Sequence, residues 1–85
     1  MPAVQLLRTV RHVIEFDETR PKWRQVEEVI RGRIESGEYP SGHRLSEVAL
    51  EAEFGVSRLT IRKATKALRE AGLIRTEPGM GSFVR

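Results

Sequence analysis

The chain has 85 residues, 39% of them hydrophobic and 32% charged, with a formal net charge of +3. That is one globular domain's worth of sequence. Without a single cysteine it excludes a disulfide framework and a thiolate metal site. No apolar run approaches the roughly 20 residues of a membrane span, and the start lacks the apolar stretch of a secretory signal, so a cytoplasmic protein is expected.

Residues 1–20 are read as an N-terminal extension, partly extended or flexible. Leu6, Leu7, Val10, Val13 and Ile14 fit a helical stripe, while His12 to Phe16 fit an extended segment equally well. The extended reading is taken for 13–16. Residues 21–85 are read as the folded domain.

The first helix is predicted over Pro21 to Ser36. Proline suits a first helical turn, where its missing N–H costs nothing. Trp23, Val26, Ile30 and Ile34 fall within an arc of about 80° and form one apolar stripe. Gly37 can take the left-handed conformation that ends a helix, and Pro40-Ser41-Gly42 supplies a turn.

A short second helix follows over 46–54. Ser46 caps it, and Glu47 sits at the positive end of its dipole. Gly55 and Val56 alone separate it from the next cap, Ser57, which makes a tight helix-turn-helix junction. The third helix is predicted from Arg58 to Ala71, closed by Gly72. Leu73 to Thr76 is strand-like, Pro78-Gly79-Met80-Gly81 is turn chemistry, and Ser82 to Val84 is a return strand. The sum is a mainly α fold with a small β-hairpin: a winged helix-turn-helix of three helices plus a wing.

Charge is distributed unevenly along this order. Residues 1–56 hold 8 Lys/Arg and 10 Asp/Glu; residues 57–85 hold 7 Lys/Arg and only Glu70 and Glu77. A basic last third on a near-neutral body points to a polyanionic partner. On the third helix Ile61, Ala64, Leu68 and Ala71 share one side. Arg58, Arg62, Lys66 and Arg69 cluster within about 80° on the other. A B-DNA major groove about 12 Å wide accepts such a helix, and arginine can bond two acceptors of guanine at once. Residues near the start of such a helix reach base edges, which selects Arg58, Leu59, Thr60 and Arg62. Thr60 could instead bond a phosphate or its own backbone. Lys63, Lys66 and Arg69 are expected to track phosphate, and Ser57 to cap the helix and offer a hydroxyl to phosphate. Arg75 lies on one arm of the hairpin. Gly79 and Gly81 permit close backbone approach to DNA or serve as a plain tight turn. This reading requires the basic stripe to be exposed and not neutralised by the chain's own carboxylates. Glu70 is the one acidic partner within the helix itself.

An enzyme is not expected. His12 and His43 are the only histidines, and neither sits in an acid–base or nucleophile constellation. No motif assembles a metal or cofactor site. The rival readings are a winged-helix module for protein assembly, docked through Leu6, Leu7 and Val10, and an architectural DNA binder with weak sequence preference.

Several segments carry a resemblance. They are Trp23-Arg24-Gln25-Val26, Ile34-Glu35-Ser36-Gly37, Gly42-His43-Arg44-Leu45-Ser46-Glu47, Phe54-Gly55-Val56-Ser57-Arg58, Thr60-Ile61-Arg62-Lys63-Ala64, Gly72-Leu73-Ile74 and Gly79-Met80-Gly81-Ser82-Phe83-Val84. Together, over roughly residues 22–84, they resemble the DNA-binding domain of the GntR family of bacterial transcription regulators. The resemblance implies operator binding, usually as a dimer on a palindrome, and repression as the expected outcome. It places Ser57, Arg58 and Arg62 at the family's DNA-touching positions, Thr60 at its hydroxyl position and Gly79 at its wing tip. Three positions depart. Val48 stands where the family often has an arginine that touches a base, so that contact is not carried over. Leu59 stands where threonine is common; leucine can reach a thymine methyl but cannot donate a hydrogen bond. Glu51 replaces a small alanine and must swing out or pair with a nearby cation. Family members usually continue into a C-terminal effector-binding and dimerising domain. This sequence ends at Arg85, after the wing, so no small-molecule effector site is expected within it.

Overall fold

The computed structural model describes residues 15–85. The expectations for Leu6, Leu7, Val10, His12, Val13 and Ile14 lie outside the described residues. Glu15 and Phe16 belong to no strand, and Phe16 packs against the core instead.

Helix α1 spans Lys22–Ser36, one residue later than predicted: Pro21 has ψ 136° and is the capping residue, not part of the first turn. The segment ahead of the helix is fixed by Gln25. Its amide donates to the carbonyls of Asp17 and Arg20, and its Oε1 accepts from the Asp17 N–H. On the inner face Val26 and Ile30 are fully buried. Trp23 and Ile34, expected in the same stripe, are only half-buried, because the helix contacts the core through its middle turns.

Strand β1 is Arg44–Leu45, and α2 is Glu47–Phe54. Ser46 caps α2 by accepting from the Ala49 N–H at 3.1 Å. Gly55 ends it with φ 67°, a backbone geometry that side-chain-bearing residues avoid. Helix α3 is Arg58–Glu70, capped by Ser57, whose hydroxyl accepts from the Thr60 N–H at 3.2 Å. Ile61, Ala64 and Leu68 are fully buried, as expected. Ala71 is not: it is the C-capping residue, its N–H still bonded to the Ala67 carbonyl, and its side chain is exposed.

The wing is β2, Ile74–Glu77, and β3, Gly81–Val84, paired antiparallel with Ile74 opposite Val84 and Glu77 opposite Gly81. β1 adds to the free edge of β3, with Arg44 opposite Phe83 and Leu45 opposite Ser82. The sheet therefore has three strands in the order β1-β3-β2, one more than the predicted hairpin. The core takes residues from every element: Val26 and Ile30, Leu45, Leu50 and Phe54, Ile61, Ala64 and Leu68, Ile74, and Val84. Three helices and a small antiparallel sheet around this one core make a winged helix-turn-helix fold.

A buried polar latch joins α1 to α2. The Arg33 side chain donates from Nη1 to the Tyr39 hydroxyl at 2.6 Å and to Glu53 Oε1 at 3.1 Å, and from Nη2 to Glu53 Oε2. The Glu53 carboxylate, followed by the Tyr39 hydroxyl, holds the guanidinium firmly protonated against the opposing effect of burial. His43, beyond this latch, stacks on Tyr39 with ring centroids 4.1 Å apart.

Candidate nucleic-acid interface

One face of the molecule gathers the first turns of α2 and α3 and the wing. Because Ile61, Ala64 and Leu68 fix the inner side of α3 in the core, Arg58, Arg62, Lys66 and Arg69 all stand outward and exposed. Lys63 is exposed too, on the flank that shares a shallow cleft with Trp23 of α1. The Ser57 and Thr60 hydroxyl oxygens lie 3.2 Å apart, so the Thr60 side chain closes onto its own cap. Leu59 projects into solvent.

The stripe is exposed, but it is not bare. Arg58 Nε donates to Glu51 Oε2 at 2.7 Å, and Arg62 Nε donates to Glu47 Oε2 at 3.3 Å. Lys66 Nζ lies 3.4 Å from Glu70 Oε2. Three of the four cations thus have carboxylate neighbours, two of them on α2, and the expectation of an unneutralised stripe is corrected to that extent. Of the two outcomes expected for Glu51, swinging out or pairing with a nearby cation, the structure shows the pairing. Hydrogen bonding to Glu51, reinforced by its charge and that of Glu47, raises the Arg58 pKa. These pairs are solvent-exposed, and such pairs typically contribute about 0–1 kcal/mol. A guanidinium has five N–H donors, so one hydrogen bond to a carboxylate leaves it able to engage another anion.

The end of α3 is tied to the wing through hydroxyls. Arg69 Nη1 donates to Thr76 Oγ1 at 3.1 Å, and Thr76 Oγ1 lies 2.9 Å from Ser82 Oγ across the β2–β3 pair. On the wing Arg75 lies 5.1 Å over the Phe83 ring and donates from Nη1 to Glu77 Oε2 at 2.7 Å. Gly79 is exposed in the turn between the strands.

Sequence reading missed Arg44. From β1 it reaches across the wing and donates from Nε to the Met80 carbonyl at 3.3 Å. Gly81 makes room for it: a Cβ there would sit 3.1 Å from that Nε. Arg44, Arg58, Val48 and Ser82 line one groove of about 300 Å³ between α2 and the wing. The close approach of Arg44 to Gly81 joins residues 37 positions apart, so no local pattern announces it. Among the described residues no group of His, Asp and Glu is arranged to hold a metal ion.

The comparisons with known proteins agree on one kind of relative. The family model "Bacterial regulatory proteins, gntR family" matches residues 22–84. An uncharacterized HTH-type transcriptional regulator of Rhizobium meliloti is 46% identical over 63 residues, covering 73% of this chain and 26% of that protein. The mannosyl-D-glycerate transport/metabolism system repressor of Escherichia coli is 40% identical over 67 residues, covering 78% of this chain and 28% of that protein. This chain therefore spans about a quarter of the length of these curated relatives. Among solved structures, the DNA-binding domain of AraR in complex with operator ORX1 has a TM-score of 0.77 and 36% identity, over 88% of this chain and 96% of that one. The same domain with operator ORR3 has a TM-score of 0.74 and 40% identity, over 85% and 86% of the two chains.

Proposed function

Because the chain belongs to the gntR family of bacterial regulatory proteins, we propose that it is a sequence-specific double-stranded DNA-binding transcription regulator, acting in the cytoplasm as a repressor. Residues 21–85 are its DNA-binding domain, and residues 1–20 an extension. The observation that carries the reading is α3: one side is sealed into the core, the other presents Arg58, Arg62, Lys66 and Arg69 to solvent beside a wing. The likeness to AraR domains solved with their operators supports it, and so do relatives named as repressors.

In this reading the start of α3 enters the major groove. Arg58 and Arg62 exchange their α2 glutamates for guanine acceptors, and Leu59 and Thr60 stand next to them at the base edges. Ser57 offers its hydroxyl to a phosphate while it caps the helix. Lys63, Lys66 and Arg69 follow the phosphate backbone, and the wing brings Arg75 and Gly79 to the flanking strand. Two copies on a palindrome would double these contacts.

The test is binding of duplex DNA across salt. Neutralising phosphates releases counterions, so affinity should fall about a hundred-fold between about 50 and 200 mM salt if about four phosphates are engaged. A flat response, or no binding at low salt, would overturn the proposal. On a palindromic duplex, complexes of two chains per duplex are expected by gel mobility; one chain per duplex would remove the dimer from the reading.

A further inference from the structure

Among the described residues three large apolar side chains are mostly exposed: Val48 (65%), Leu59 (64%) and Met80 (63%). Single exposed apolar residues are ordinary on a protein surface, so what matters is which elements carry these three. Val48 is in the first turn of α2, Leu59 in the first turn of α3, and Met80 in the turn of the wing. All three lie on the elements that form the candidate interface. Val48 lines the same groove as Arg58, and Leu59 follows Arg58 directly in the chain. Neither valine nor leucine has a side-chain donor or acceptor, so neither reads a base by hydrogen bonding. The major-groove edges of the base pairs carry one apolar group, the 5-methyl of thymine.

We infer that Val48 and Leu59 are specificity-determining residues that read thymine 5-methyl groups in the major groove, alongside the polar contacts of Arg58 and Arg62. This inference rests on the DNA-binding reading above. An apolar protein surface is a poorer occupant of the same place, because covering Val48 and Leu59 would also desolvate the Arg58–Glu51 and Arg62–Glu47 pairs without giving either a new polar partner. A duplex supplies both: methyl groups for the apolar side chains, and guanine edges and phosphates for the cations.

The experiment selects a duplex from a random pool with the full chain, then resynthesises it with deoxyuridine replacing thymidine at one position at a time. Uracil pairs as thymine does and lacks only the methyl group. At least two positions should lose affinity about four-fold each, the equivalent of one buried methyl group. Leu59→Ala should abolish the discrimination at one of them, and Val48→Ala at another. Both side chains are exposed, so both variants should melt at the wild-type temperature. If every uracil duplex binds as tightly as its parent, or both alanine variants keep full discrimination, the inference is overturned while DNA binding stands. If no duplex is bound at low salt, both readings fall together.

Discussion

Two regions of this molecule use the same chemistry to opposite ends. Between α1 and α2, Arg33 meets Glu53; between α2 and α3, Arg58 meets Glu51 and Arg62 meets Glu47. All three are arginine–glutamate pairs that bridge helices. Arg33 is 8% exposed and gains a second partner in Tyr39, whereas the Arg58 side chain is 51% exposed. Burial decides what each pair is for. An arginine out of water cannot release its carboxylate without leaving a charge unsolvated. An arginine in water can exchange one anion for another at little cost. The first is a latch; the second, in the proposed reading, is a pair that gives way to DNA.

The largest effect should come from breaking the latch. Glu53→Ala leaves the buried Arg33 guanidinium with the Tyr39 hydroxyl and, 3.7 Å from its Nε, only the exposed Glu38 carboxylate, and about 3 kcal/mol of stability should be lost, read by urea unfolding. A loss no larger than that of an exposed pair would erase the contrast. Arg58→Ala and Arg62→Ala should do the reverse. Discrimination between selected and random duplexes should drop by about 1–3 kcal/mol if either arginine contacts guanine bidentately, with the unfolding midpoint almost unchanged. Wild-type sequence preference in both variants would show that the exposed pairs are merely structural. Ser57→Ala removes the α3 cap and should lower stability by about 1 kcal/mol, in thermal unfolding without DNA. The smallest effect is the sharpest for the comparison. Glu51→Gln should change stability by less than about 1 kcal/mol, yet tighten binding to random DNA, because a carboxylate is removed from beside an incoming phosphate. Weaker binding would mean instead that Glu51 holds Arg58 in its productive orientation.

The helices and the hairpin were legible because their signals are local. Ser46 and Ser57 sit where caps are needed, Gly55 where the backbone must turn left-handed, and the period of Ile61, Ala64 and Leu68 identifies the buried side of α3. β1 was not legible. Two residues carry no periodicity, and Arg44–Leu45 is a strand only because β3 lies beside it, nearly forty positions along the chain. The stripe of cations and its intrahelical neighbour Glu70 can be read from a helical wheel, but the neighbours on α2 cannot: Glu47 and Glu51 reach α3 across the turn, and spacing within one helix does not reveal them. Only its departure from a family pattern marks Glu51 in the sequence. α3 ends one residue before the predicted Ala71, since alanine favours a helix whether or not the chain continues it.

The three-stranded sheet has one more consequence. β1 runs directly into Ser46, the cap of α2, while its other side is hydrogen-bonded to the outgoing strand of the wing. The Arg69–Thr76–Ser82 chain fastens the far end of α3 to the same strands. Helix and wing are therefore two jaws of a caliper whose gap is set within one polypeptide. In the proposed reading a duplex would have to match this width or bend to do so, and bending energy depends on sequence at steps the protein never touches. Stiffness of the DNA, as well as the identity of its bases, would then be part of what is selected.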